Sequence, residues 1–259
     1  PLPPPPPAET NGGTGPAGEA GDGGAGEDDQ QEEEDDEAST VLVRGPVPPE
    51  PGHWASCIRV LNPVTGETVE LLELEGNEAA FSVCTCTFAS RGDETFIVVG
   101  TSCGLVLQPR TPSPRCFVHV YRMVGDRLLL LHKTPVEDGV PLALCAFRGR
   151  LLVGAGRRLR LYDLGKRRLL KKSESIVAPH MIVRLQAMGD RVFVSDLIDG
   201  VVFAKFRPQQ NAFSVYADDY MPRFVTASVL LDYDTVAGAD KFGNVWVLRL
   251  PREVSDDVD

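Results

Sequence analysis

The chain is 259 residues long with a formal net charge of −11, and that charge is lopsided. Residues 1–43 hold 12 Asp/Glu and no Lys or Arg, leaving the remainder at about +1, so the acidic total does not exclude contact with an acidic partner. No apolar run approaches the ~20 residues a membrane-crossing helix needs, and the first 30 residues lack a basic-then-apolar signal pattern, so a soluble protein is expected.

In chain order, residues 1–53 carry a Pro run (Pro3–Pro7), a Gly-rich stretch and the acidic block Glu32–Glu37. Such a composition has too little apolar surface to offset its ordering entropy, so this lead is expected to be disordered. From residue 54 the pattern changes to short β-branched runs broken by turn residues. Ser56–Leu61 and Thr68–Leu74 read as a strand pair across the turn Asn62–Gly66. Phe81–Phe88, Thr95–Thr101, Cys116–Met123 and Arg127–Lys133 follow. The next strands are Leu142–Phe147, Arg150–Gly154, Arg158–Asp163 and Lys166–Lys172, then Ile182–Met188, Arg191–Asp196, Val201–Arg207 and Ala212–Ala217. The last set is Arg223–Leu230, Thr235–Ala239 and Asn244–Leu250, and residues 251–259 read as an acidic tail. No helix is expected; Lys166–Ser173 has helical propensity but occupies a fourth-strand slot.

A repeat underlies this list. Gly100, Gly154, Ser195 and Gly238 each end a short apolar run, and an aromatic follows eight residues later at Tyr162, Phe203 and Trp246. In the first copy Tyr121 is delayed by an intrusion from Ser102 to Pro114 that is read as an extended loop; without it the copies recur every 41, 41 and 43 residues. A period near 40 built of four short strands predicts an all-β fold of β-propeller blades over residues 54–250, a partial ring of about four blades. A ring that begins and ends mid-blade is expected to be an arc of a larger propeller.

Candidate sites are few. Cys84 and Cys86 share one strand face, as two zinc ligands would, but no second pair completes a ligand set, so they read as core thiols. All six cysteines are expected to be reduced, as in nucleus or cytosol. The four histidines have no ligand spacing, Ser195-Asp196 has no triad signature, and Gly154-Ala155-Gly156 reads as a hairpin turn rather than a phosphate loop. No catalytic residue, metal, cofactor or small-molecule substrate is expected. The strongest electrostatic feature is Arg157, Arg158, Arg160, Lys166, Arg167, Arg168, Lys171 and Lys172, with Asp163 the one acid set against them in sequence. These bases read as a solvated blade edge that resists aggregation, or as a dock for an acidic protein or an RNA backbone. A rim segment with Tyr220, Arg223, Phe224, Asp232, Tyr233, Asp234, Lys241, Phe242 and Asn244 mixes aromatics and charges in the manner of a protein contact. Its Asp and Asn residues also suit turn-stabilising hydrogen bonds.

At Asn77-Glu78-Ala79-Ala80-Phe81-Ser82-Val83, at Leu161-Tyr162-Asp163-Leu164-Gly165-Lys166, and above all along Leu230–Asn244, the chain resembles a known family. It is the one shared by damaged-DNA-binding protein 1, the large subunit of the cleavage and polyadenylation specificity factor, and splicing factor 3b subunit 3. Ala217-Asp218-Asp219 with Pro222-Arg223, and the turn Asp240-Lys241-Phe242-Gly243-Asn244, are similar to the splicing branch and unlike the DNA-repair branch. Phe224 departs from the branch, which has Trp there, and residues 1–53 match nothing in it. The resemblance implies three propellers and a helical C-terminal part, with residues 54–250 falling in the third propeller. It also implies a nuclear, non-catalytic scaffold that supports recognition of the intron branch site. The implied partners are a HEAT-repeat large subunit, a ten-kilodalton subunit and a PHD-finger-like protein, with pre-mRNA or small nuclear RNA nearby. A ubiquitin-ligase adaptor like the repair branch is the alternative, and the Asp240–Asn244 turn disfavours it.

Overall fold

The computed structural model describes residues 48–107, 114–219 and 221–256. The expected disorder before residue 48, the middle of the Pro-rich intrusion and Tyr220 fall outside those residues. Within them, 17 strands form five sheets, and in every sheet each strand runs antiparallel to the next in sequence. β1 (Cys57–Leu61) and β2 (Thr68–Glu73) make a pair. The first four-stranded sheet holds β3 (Glu78–Thr87), β4 (Thr95–Cys103), β5 (Arg115–Val124) and β6 (Arg127–Val136). The second holds β7 (Pro141–Phe147), β8 (Arg150–Ala155), β9 (Arg158–Leu164) and β10 (Leu169–Ile176). The third holds β11 (Ile182–Met188), β12 (Arg191–Asp196), β13 (Gly200–Arg207) and β14 (Ala212–Asp218). β15 (Val225–Leu230), β16 (Thr235–Asp240) and β17 (Val245–Arg249) complete the series.

Alternation along the middle strands explains the stacking. On β8, Leu151 and Val153 face one core shared with the first sheet, while Leu152 faces another shared with the third. Both faces are therefore buried, and the strand is apolar from Leu151 to Ala155. Each fully buried Leu or Val contributes about 1.5–3 kcal/mol. Further apolar cores join the third sheet to β15–β17 and the first sheet to β1–β2. The first strands β3, β7, β11 and β15 neighbour one another in turn, so the sheets fan around a common axis as propeller blades.

In three of the four copies the repeated small residue faces the neighbouring blade, while Gly238 makes room for the Trp246 ring of its own sheet. A Cβ on Gly100 of β4 would overlap the backbone oxygen of Pro141 on β7, and one on Gly154 of β8 would overlap Ile182 on β11. In the third copy Ser195 Oγ meets Ser228 Oγ of β15 at 2.8 Å. Nearby, Ser82 donates to the Pro141 carbonyl at 2.6 Å, a side-chain bond between blades. Each first strand also carries a one-residue bulge, between Ala80 and Ser82, Pro141 and Ala143, Ile182 and Arg184, and Val225 and Ala227. Bulges bend a strand and increase its twist, which suits the crowded inner edge of a blade.

Three expectations change. The aromatics that share the eight-residue spacing do not share a position: Tyr162 pairs with Leu151, Phe203 with Phe193, and Trp246 with Gly238 itself. Hairpins of unequal length absorb the difference, and all three side chains are nonetheless buried. The strand expected at Lys166–Lys172 runs instead over Leu169–Ile176, because Gly165 to Arg168 close a turn in which the Gly165 N–H donates to the Arg168 carbonyl at 3.1 Å. Finally, the acidic tail contains a single helical turn, α1 (Arg252–Asp256), just after Pro251, a residue suited to opening a helix.

Replacing Gly100 or Gly154 by Ala forces two blades apart. Each substitution is expected to lower unfolding free energy by about 1–3 kcal/mol in equilibrium denaturation, against about 1 kcal/mol for Ser195→Ala, which loses a hydrogen bond but no clearance.

Candidate functional site

The rim segment divides into two clusters at opposite ends of β16, about 20 Å apart at the rise of an extended strand. At one end stand Arg223, Phe224, Lys241, Phe242 and Asn244. Asp240 organises this end: it accepts hydrogen bonds from the backbone of Phe242 at 2.8 Å and of Asn244 at 2.9 Å, and from the Asn244 side chain at 2.8 Å. Those donors, the Asn244 side chain foremost, hold the Asp240 carboxyl below its ordinary range. The turn pushes Phe242 outward, to 65% exposure. Its ring stands edge-on to Phe224 with centroids 5.5 Å apart, and Lys241 Nζ lies 3.9 Å from the Phe224 centroid and 5.1 Å from that of Phe242. Phe224 adopts φ 46°, and its N–H and that of Arg223 both donate to the Ile198 carbonyl, at 3.0 and 2.8 Å. Arg223 pairs with Asp219 and stacks over Trp246 at 5.1 Å. Leu197 and Met221 are also exposed. Two rings, a cation and nearby aliphatics, held by a rigid turn, make an exposed aromatic and cationic knob.

At the other end, Tyr233 and Asp234 turn inward instead of offering a contact. Arg191 is fully buried, and its guanidinium donates to Asp234 at 2.7 Å, to the Ser255 hydroxyl at 2.9 Å and to the Ser255 carbonyl at 2.8 Å. It also lies 4.0 Å from the Tyr233 ring centroid. Asp232 performs the expected turn role, accepting the Asp234 N–H at 2.9 Å. This end is a clamp that fastens α1 to the β15–β16 turn. Nothing in the residue pattern pointed to Arg191, because its partners lie 43 and 64 residues away.

The basic run is likewise divided. Arg160 is buried, with Nε 2.7 Å from Glu174, one terminal nitrogen 2.6 Å from the Glu137 carbonyl and the other 2.7 Å from Asp138. Arg158 bridges Asp138 at 3.1 Å and Glu174 at 2.7 Å, and Lys171 reaches Glu174 at 3.0 Å. Arg157 donates to the Ala178 carbonyl at 3.3 Å. The expectation that Asp163 alone opposes these bases is therefore corrected, since Glu174 and Asp138 become neighbours only through strand pairing and blade packing. Lys166, Arg167, Arg168 and Lys172 are exposed and pair with no carboxylate among the described residues. The Arg160 guanidinium drives the Glu174 carboxyl down to about 2, with Lys171 assisting.

The remaining candidates have structural explanations. Cys84 and Cys86 pack at the core between the first two blades, and burial raises both thiols to about 12. All six cysteines are free. Ser195 pairs with Ser228, not with a histidine. His180 lies 3.3 Å from Asp196 and 3.5 Å from Asp199. Burial alone would raise the Asp196 carboxyl, but N–H donors from Ile198, Asp199, His180 and Met181 outweigh it and hold it below its ordinary range, so the group serves as a loop cap. Gly156, with φ 56°, confirms the hairpin reading of Gly154-Ala155-Gly156. One further network escaped the residue pattern. Glu78, Thr101, His119 and Lys133, one from each strand of the first blade, form a polar rung in which His119 Nε2 is 3.0 Å and Lys133 Nζ 3.1 Å from Glu78.

The fold defines an all-β protein of propeller blades. A match to the family described as the CPSF A subunit region covers residues 55–259, and the chain belongs to that family. It is 48% identical over 210 residues to Splicing factor 3B subunit 3 of Danio rerio, which covers 80% of this chain and 17% of that protein. Against Spliceosome-associated protein 130 A of Arabidopsis thaliana it is 50% identical over 212 residues, covering 81% and 17%. Pre-mRNA-splicing factor RSE1 of Mycosarcoma maydis is 48% identical over 217 residues, covering 83% and 18%. The chain thus spans about a sixth of the length of these relatives and is a homologue of a spliceosomal propeller protein.

Two outcomes test the geometry. Because Glu174 has a lowered carboxyl, its stabilising effect is complete above its ordinary value of 4.5 and is lost as pH falls toward about 2. Melting temperature is expected to drop over that acid limb in the natural chain and to drop less in Glu174→Gln. Arg191→Met removes the buried guanidinium that joins half-buried Asp234 to Ser255 and is expected to cost about 1.5–3 kcal/mol, with hydrogen exchange at residues 252–256 rising alongside.

Proposed function

We propose that this chain is a segment of a non-enzymatic scaffold in the splicing factor 3b complex, acting in the nucleus to support recognition of the intron branch site. Residues 54–250 are the C-terminal part of the family's third propeller in this reading, and the knob at Phe224, Lys241 and Phe242 is its protein-contact surface. Arg223 and Asn244 brace that knob, while Asp232, Tyr233 and Asp234 belong to the clamp; Tyr220 is kept as a contact candidate on sequence grounds alone. The partners are a HEAT-repeat large subunit and small subunits of the complex, including a PHD-finger-like protein, with RNA nearby.

The observation that carries the contact reading is the exposure of Phe242 on a turn whose backbone is fixed by Asp240. A ring held out in water costs solvation unless a partner covers it. The splicing names of the relatives favour this complex over the ubiquitin-ligase alternative.

The tagged 259-residue chain, recovered from nuclear extract, is expected to bring down a HEAT-repeat splicing protein. Phe242→Asp and Lys241→Glu are expected to weaken that association by about 30-fold, the scale of a single hot-spot residue, as read by quantitative mass spectrometry. Recovery of a cullin with no splicing protein would overturn the reading.

A further inference from the structure

The second and first blades part at their outer edges, between β10 and the end of β6, and leave a groove of about 390 Å³. Its walls are Thr134, Pro135 and Glu137 on one side and Arg168, Leu169, Leu170 and Lys171 on the other, with Arg160 and Tyr162 at the floor. Tyr162 is only 5% exposed, and what it leaves uncovered lines the groove. Arg160 has every nitrogen engaged by Glu174, Glu137 and Asp138, so it fixes the floor without being free to bind. At the groove's mouth the turn Lys166-Arg167-Arg168 is exposed and unpaired, Leu170 is 43% exposed, and Lys172 follows on β10.

We infer that this groove is a docking site for an acidic peptide segment of a partner protein. A partner carboxylate accepts the Tyr162 hydroxyl, other carboxylates pair with Arg168 and the neighbouring Lys166 and Arg167, and an apolar side chain covers Leu170. Charge complementarity selects the occupant. The surrounding acids do not cancel it: Glu174 and Asp138 are consumed by Arg158, Arg160 and Lys171, which leaves Glu137 and Asp163 against four unpaired bases. The groove is poorly suited to single-stranded RNA, which is held by stacking on exposed aromatic faces, because the one aromatic in its lining, Tyr162, is buried in the core between the blades. A carboxylate at the Tyr162 hydroxyl adds a hydrogen bond at the floor of the groove without displacing a partner inside the protein.

The test uses the whole 259-residue chain and a fluorescein-labelled peptide made of an Asp/Glu run with a central Leu, read by anisotropy at low salt. Binding is expected, weakening as salt rises. Tyr162→Phe, which removes no internal hydrogen bond, is expected to weaken it by about tenfold, and Arg168→Glu by about tenfold or more. Absence of peptide binding at low salt, or equal binding by both variants and the natural chain, overturns the proposal. So does tighter binding by an oligouridylate of equal charge, which would mark a phosphate-reading surface. Arg168→Glu is expected to leave Phe242-dependent co-purification intact, so the two readings fail separately.

Discussion

The structure depends on how closely one blade can approach the next. At Gly100 and Gly154 the second strand of a blade presents no side chain, and the first strand of the following blade occupies the vacated space. Ser195 holds the same place with a hydroxyl small enough to face Ser228. A larger residue would separate the inner strands, open the apolar cores between sheets and leave alternating Leu and Val faces half covered. The repeat is therefore a packing rule, and the apolar clusters between blades follow from it.

With inner edges locked, differences between blades are pushed to hairpins and outer strands. The β16–β17 turn uses Asp240 to hold Phe242 in water, whereas the β15–β16 turn uses Asp234 to receive a buried arginine. These are neighbouring hairpins of one sheet with opposite roles. The outer strands β6 and β10 diverge enough to leave a groove, while Leu169 donates to Thr134 at 2.9 Å and keeps the two blades joined beneath it. Surface features vary in this way from blade to blade without disturbing the cores.

Charge is handled by the same division. Arg160 and Arg191 are both fully buried and both held by partners from loops or elements outside their own strands. Removing such a partner is costly, so these arginines act as pins between elements rather than as surface charge. Within the basic run, the bases left in water are Lys166, Arg167 and Arg168 of the turn before β10 and Lys172 on that outer strand.

Periodicity alone determined the all-β class, the strand order and the boundaries of most strands, because side chains alternate between two apolar cores and that alternation is written residue by residue. The small residue in each copy was visible too, as was the turn chemistry of Asp232 and Asn244. Register and hairpin length were not: Tyr162, Phe203 and Trp246 share a spacing but meet different partners, since two-, three- and five-residue turns compensate for shifted pairing. Nor could composition separate the buried Arg160 from the exposed Arg168, or the exposed knob at Phe242 from the clamp at Tyr233. Those distinctions rest on which residues distant in sequence come within hydrogen-bonding reach, and only the packing of blade against blade decides that.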